Sequence, residues 1–386
     1  MMFRKNTRLV GLDIGSSLIK VAALKHSSKG YELRRFGMTQ LEPGIIVNGR
    51  IIDKQSLADT IRLLFKTLKI HEKNVAISAG GHSMLIRTIN IPNISPDISS
   101  NTANDKELEE IIYSEAKQYL TYDMDELNID YQILGENELE PSRLNVLLVA
   151  AQKDIVAEYA DLIRLSGLRL QIIDVDIFAL QNAYNILLNH NTESFTLIAD
   201  VGASKMTLNI FKGDHSYMIR DIMYGSNKIA QDISDELGIS YEAAEQALIR
   251  QSNDIDHQNR NRDQNRDNDH EPDWSQDQDQ DKIRDISLRV IRSWCREIVE
   301  MVNEFQSGTS EARVDNIILS GGGLLFDDFR NYLLSGLDAD ISIINPFKTL
   351  KYKEKQFSTS FLTKAAPWAA IAIGLALRRV NDKSES

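Results

Sequence analysis

Two tracts of the 386-residue chain carry aspartate, glycine and small residues at one spacing. The first, LVGLDIGSSLIKVAAL, spans residues 9–24, and the second, TLIADVGASKMTLNIF, spans 196–211. Each reads as an apolar strand, a carboxylate, a glycine turn and a second strand. Gly15, Ser16 and Ser17, and again Gly202, Ala203 and Ser204, place backbone N–H groups where they can line a concavity for phosphate oxygens. Asp13 and Asp200 end the two first strands. A pair of carboxylates there could hold hydrated Mg²⁺, which prefers oxygen and keeps several waters. Lys20, further along the first hairpin, and Lys205, in the second turn, are the candidate phosphate cations. One D-x-G tract alone is a common hairpin turn. A repeated unit says more, and implies two like-folded lobes facing each other.

A third glycine cluster follows an apolar strand at Asn316 to Leu319: Ser320, Gly321, Gly322 and Gly323, then a helical stretch from Asp327 to Leu334. Backbone without side chains gives a flat ring somewhere to lie. Such turns are frequent, so the signal comes from its being third in this order. Asp176 opens an apolar helical stretch and is the candidate to orient water in phosphoryl transfer. An N-terminal cap or a polar turn residue for that helix is at least as good a reading.

The elements that must position these groups alternate. Helical spacing marks 56–68, 108–120, 153–166 and 178–188, and strand-like runs mark 74–78, 145–151 and 172–175, an α/β pattern. The stretch Ala365 to Leu377 is rich in small residues and opens near Pro367, which suits a helix start. With Val175 to Tyr184 it is expected to form two connecting helices that cross beneath the phosphates. The stretch is shorter than the ~20 residues of a membrane span.

The net charge of −12 disfavours general nucleic-acid binding, which wants a basic face. Residues 253–281 carry nine Asp, one Glu and three Arg, with only Ile255 and Trp274 as large apolar groups, and read as a disordered insertion. One cysteine, Cys295, excludes an internal disulfide and a cysteine-built metal site. No cleavable signal segment follows the basic N-terminus, so a cytoplasmic chain is expected.

Phosphate turn, connecting helix, second phosphate turn, glycine-rich turn, second connecting helix: this order resembles the actin-like ATPase superfamily. Within it, the tracts LDIGSSLIKVAAL (12–24), EAKQYLTYDMDELNIDYQILG (115–135), VLLVAAQKDIV (146–156), GLRLQIIDVDIFALQNAY (167–184), ILSGGG, NPF (345–347) and IGLALR (373–378) resemble the PilM family of type IV pilus assembly.

That resemblance implies an actin-like two-lobed α/β fold with duplicated mixed-sheet domains and an FtsA-type inserted subdomain. The first lobe would take 1–83 and 168–196, the insert 84–167, and the second lobe 197–364, with 365–386 a return helix to the first. It implies ATP and Mg²⁺ between the lobes, with Gly225 joining the nucleotide contacts. As partner it implies the N-terminal peptide of the inner-membrane protein PilN, and through it the PilN–PilO–PilP complex and the pilus motor ATPases. The chain would then be peripheral to the inner membrane through its partner, without direct insertion. Four positions depart from the family pattern: Ser226, where a second glycine is common; Leu248, where a lysine faces the purine; and Lys205 and Met206, where threonines are common. Little or no ATP turnover is expected. A small-molecule kinase of the same superfamily would need a base for its substrate hydroxyl, and no motif supplies one. An FtsA-like division adaptor would end in an amphipathic membrane helix, whereas 381–386 is short and polar.

Overall fold

The computed structural model describes residues 9–28, 30–47, 49–79, 84–94, 102–119, 122–137, 140–186, 193–248, 274–308, 313–325, 327–334 and 336–380. The first lobe contains β1 (Val10–Ile14), β2 (Leu18–Ser27), β3 (Gly30–Gln40), the short hairpin β4 (Ile46–Val47) and β5 (Arg50–Ile51), α1 (Lys54–Thr67) and β6 (Asn74–Ala79). An inserted module follows, with β7 (Met84–Pro92), α2 (Thr102–Ala116), β8 (Leu127–Glu136) and β9 (Arg143–Gln152). The chain returns to the first lobe through α3 (Lys153–Leu165), β10 (Arg169–Val175) and α4 (Asp176–Asn185). The second lobe holds β11 (Phe195–Val201), β12 (Met206–Lys212), β13 (His215–Ile222), α5 (Asn227–Leu237), α6 (Trp274–Gly308), β14 (Val314–Ser320), α7 (Asp327–Leu334) and β15 (Asp340–Ile343). The last helix is α8 (Thr359–Leu377).

The two large sheets repeat one topology. Their strand orders are β3-β2-β1-β6-β10 and β13-β12-β11-β14-β15. In each, an antiparallel meander lies beside two parallel strands reached by helical crossovers. The turn after the first strand closes identically: Gly15 N donates to Leu18 O at 3.1 Å, and Gly202 N to Lys205 O at 2.9 Å. The duplicated mixed-sheet lobes expected from sequence are present.

Burial explains the helices. On α1, Leu57, Ala58, Ile61, Leu64 and Phe65 face the first sheet, and Asp53 caps the helix by accepting from Ser56 N at 2.9 Å. On α6, Ile291, Trp294, Ile298 and Met301 are buried in the second lobe's core. Two glycines let backbones touch where helices meet sheet and helix. A Cβ on Gly11 would stand 1.9 Å from Ala372 O, and one on Gly374 would stand 1.7 Å from Ala179 O. So α8 lies directly on β1 and α4, and the expected crossing of two connecting helices is found.

Several boundaries move. The helix α8 starts six residues earlier than expected, and Pro367 is inside it rather than in its first turn. It is the described helix long and apolar enough to cross a membrane, yet its apolar face fills the space between β2, β3 and the 347–357 segment. The expected disordered stretch ended at 281, but α6 already begins at Trp274; residues 253–273 lie outside the described residues. The expected insert ran to 167, but its three-stranded sheet, β7-β9-β8, ends at Gln152. Ile155, Tyr159, Leu162 and Ile163 of α3 belong to the first lobe's core. The topology gives the reason: α3 is the crossover before β10, as α7 is the crossover before β15.

Candidate functional site

The hairpin register fixes what faces each carboxylate. Asp13 on β1 stands opposite Lys20 on β2, and Asp200 on β11 stands opposite Thr207 on β12. The first pair makes an ion pair, Lys20 Nζ to Asp13 Oδ2 at 3.0 Å. A Cβ on Gly15 would lie 3.1 Å from Lys20 Nζ, so the ammonium rests against the first turn. In the second hairpin Thr207 turns away and donates to Asp221 Oδ1 at 2.7 Å. The lysine of that copy is Lys205, within the turn itself. Its Nζ reaches Asp176 Oδ2 at 2.8 Å, joining the second lobe's turn to the first residue of α4. Asp13, Lys20, Asp176, Asp200 and Lys205 thus converge where the two lobes meet, within electrostatic reach of one another.

Burial sets the charges. It raises the Asp13 carboxyl, which Lys20 offsets only in part while Asp176 adds to the rise. Burial likewise pushes Asp200 up to about 6 against the counter-effects of Ser320 and Lys20. Asp176 feels the same burial, but the Lys205 ammonium beside it holds it below the ordinary carboxylate range. Burial alone would lower Lys205; Asp176 and Asp221 more than reverse that, so its ammonium stays charged. Tyr159 of α3 borders the cluster, its phenol pushed up to about 12 by burial and Asp176.

The cap reading of Asp176 fails, because α4 has Val175 at its N-cap and no side-chain cap bond. The glycines of the other turns serve contact rather than openness. Gly225 presses on the 202–205 turn: its Cβ would lie 2.2 Å from Gly202 O, and Ser226 N and Asn227 N donate to Gly202 O and Ala203 O at 2.9 and 2.8 Å. Gly321 has φ +92°, and its N–H is spent on Pro367 O at 3.1 Å. Gly323 meets the Val201 side chain, and Gly322 alone of the three opens toward the Trp368 ring. Leu248, where the resemblance implied a lysine facing a purine, packs against the second lobe's core. Sequence reading overlooked Ser78, Tyr159, Thr207 and Asp221; the offset of 187 between the repeats already pairs Lys20 with Thr207.

A family model described as type IV pilus assembly protein PilM matches residues 11–260 and 279–380. The chain belongs to the PilM family. A solved PilM–PilN type IV pilus biogenesis complex contains a chain 21% identical to this PilM-family protein, with a TM-score of 0.79, covering 97% of this chain and 99% of that one. The ethanolamine utilization protein EutJ of Carboxydothermus hydrogenoformans shares 11% identity at a TM-score of 0.50, covering 96% of this chain and 89% of that one. The fold is the actin-like two-lobed one.

Mg²⁺ was expected between Asp13 and Asp200. Of the carboxylates there, Asp13 is paired with Lys20 and Asp176 with Lys205, while Asp200, pushed up to about 6 by burial, is ionised at neutral pH. Among the described residues no three of His, Cys, Asp and Glu converge as a ligand set.

Proposed function

We propose that this chain is a nucleotide-binding adaptor of the type IV pilus machine, taking ATP between its lobes and the N-terminal cytoplasmic peptide of PilN at its inserted module. Through that peptide it joins the PilN–PilO–PilP complex to the motor side and stays cytoplasmic, at the inner membrane by way of its partner. The carrying observation is that charged groups of both lobes meet at two identical backbone turns, and that α4 starts in that cluster. The partner is inferred from the PilN-bound family structure.

From its charged end, α4 runs between the lobes and the module. Phe178 packs in one cluster with Met84, Ile86 and Val149 of the module and Ile198 and Ile219 of the second lobe. Gln181 fastens the helix to the second lobe, donating to Gly213 O at 3.0 Å. A ligand that changes the cleft therefore acts on an element the module touches. Turnover is slow or absent in this reading: Asp176, the candidate water-orienting group, is a weak base held by Lys205.

Calorimetry with ATP and with the PilN peptide tests the proposal. Ala203→Asp puts a carboxylate into the second turn and should remove ATP binding while leaving the peptide's affinity unchanged. A wild-type chain that takes up no ATP, or a variant that binds it normally, rejects the cleft as the nucleotide site.

A further inference from the structure

We infer that the segment leading from β15 into α8 forms a basic face that rests on anionic phospholipid headgroups, so that this chain touches the membrane surface itself as well as being held there by its partner.

Residues 347–364 hold five lysines, Lys348, Lys351, Lys353, Lys355 and Lys364, against one carboxylate, Glu354. All five are exposed. Their arrangement follows from what the same segment buries. Phe347, Leu350, Phe357 and Leu362 turn into the core shared with β2, β3 and α8, which leaves the lysines between them on the outer side. The backbone is fixed as well. Leu33 N donates to Lys351 O at 2.7 Å and Lys351 N to Tyr31 O at 3.1 Å, so the segment is added to the outer edge of β3. Among the described residues, no carboxylate pairs with any of the five, whereas Arg34 beside them takes Glu32 at 3.2 Å.

A face of this sign runs against the chain's net charge of −12. The inserted module shows the contrast, with thirteen carboxylates and four cations over residues 84–152. A chain so divided is oriented by a charged surface. Each lysine that comes within a Debye length of an anionic leaflet strengthens binding by about fivefold. Phe361, 41% exposed and stacked on Phe36 at 6.1 Å, adds an aromatic ring that suits the headgroup boundary. The choice of a bilayer over an acidic protein rests on the adaptor reading above: a partner anchored in the inner membrane keeps lipid within reach, where a weak attraction is enough.

Flotation of the full-length chain with vesicles decides it. The chain should float with vesicles of phosphatidylethanolamine and phosphatidylglycerol, and should stay behind with phosphatidylcholine alone or in concentrated NaCl. Lys348→Gln, Lys353→Gln and Lys355→Gln together should lower partitioning by about tenfold or more. The same three residues changed to arginine should keep it, and melting curves establish that both variants are folded. Removing three cations from the second lobe, by Lys228→Gln, Lys282→Gln and Arg289→Gln, should leave partitioning within about twofold. No flotation, flotation with neutral vesicles, or equal flotation of wild type and the triple glutamine variant overturns the inference. So does self-association by light scattering that needs the three lysines and no lipid, which would assign the face to the acidic module of a second copy. The PilN-peptide affinity, measured without vesicles, reports on the adaptor reading alone.

Discussion

Asp200 is where the residue scale is most exposed to test. An aspartate whose folded-state pKa is raised above its unfolded value near 3.8 binds its proton more tightly when folded. Its contribution to stability is complete below pH 3.8 and is lost as the pH rises through about 6. At pH 7.5 the ligand-free protein therefore carries an unfavourable buried charge. Asp200→Asn removes it, and should raise stability at pH 7.5 by about 1–3 kcal/mol while changing it little at pH 4. Thermal melts at the two values check this; a variant less stable than wild type at pH 7.5 would mean that the carboxylate is compensated in a way the lysine geometry does not show. The other charged residues teach a lesson about legibility. Asp13, Lys20, Asp200 and Lys205 stand out in the sequence because a hairpin is local and its repeat is visible. The Lys205–Asp176 pair does not, since those residues are 29 apart and meet only once the lobes face each other.

Elements follow the same division. The helices with an apolar stripe, α1, α3 and α7, lie within two residues of where periodicity places them. The strands β3, β8 and β13 escaped, because GYELRRFGMTQ, LNIDYQILGE and HSYMIRDI mix charge with apolar residues, and their pairing comes from neighbours in space. The start of α6 escaped for a related reason: WSQDQDQD has no apolar period. What the sequence does announce is the small-residue face of α8, and the structure explains it by backbone contact. At Gly374 a methyl group would collide with Ala179 O of α4, which neither helix can yield without parting from the other. Gly374→Ala should cost about 1–3 kcal/mol or more, read as a lower denaturant midpoint at unchanged slope. A neutral result would show that the helices are not in contact there.

At the scale of the whole molecule, α4 joins the charged cluster to the apolar cluster on which the inserted module packs, so under the proposed function the two ligands are expected to be thermodynamically linked. The helix begins with Asp176 in the charged cluster, and its Phe178 packs against the same buried apolar cluster as Met84, Ile86 and Val149 of the module. Further along, Asn209 and Ser216 of the second lobe meet Gln181 in a buried hydrogen-bonded group, and Asn185 donates to Asp214 Oδ1 at 2.8 Å. If nucleotide alters lobe closure, it must alter the seat of the module, and PilN-peptide affinity should change by about fivefold or more. Linkage then demands that the peptide change ATP affinity by the same factor. Phe178→Ala should shrink that factor toward one while each ligand, titrated alone, binds with near-normal affinity. Fluorescence anisotropy of a labelled peptide with and without ATP, paired with ATP calorimetry with and without peptide, measures both sides of the cycle. Two affinities that ignore each other in the wild-type chain would reduce α4 to a strut and make nucleotide a structural ligand rather than a switch.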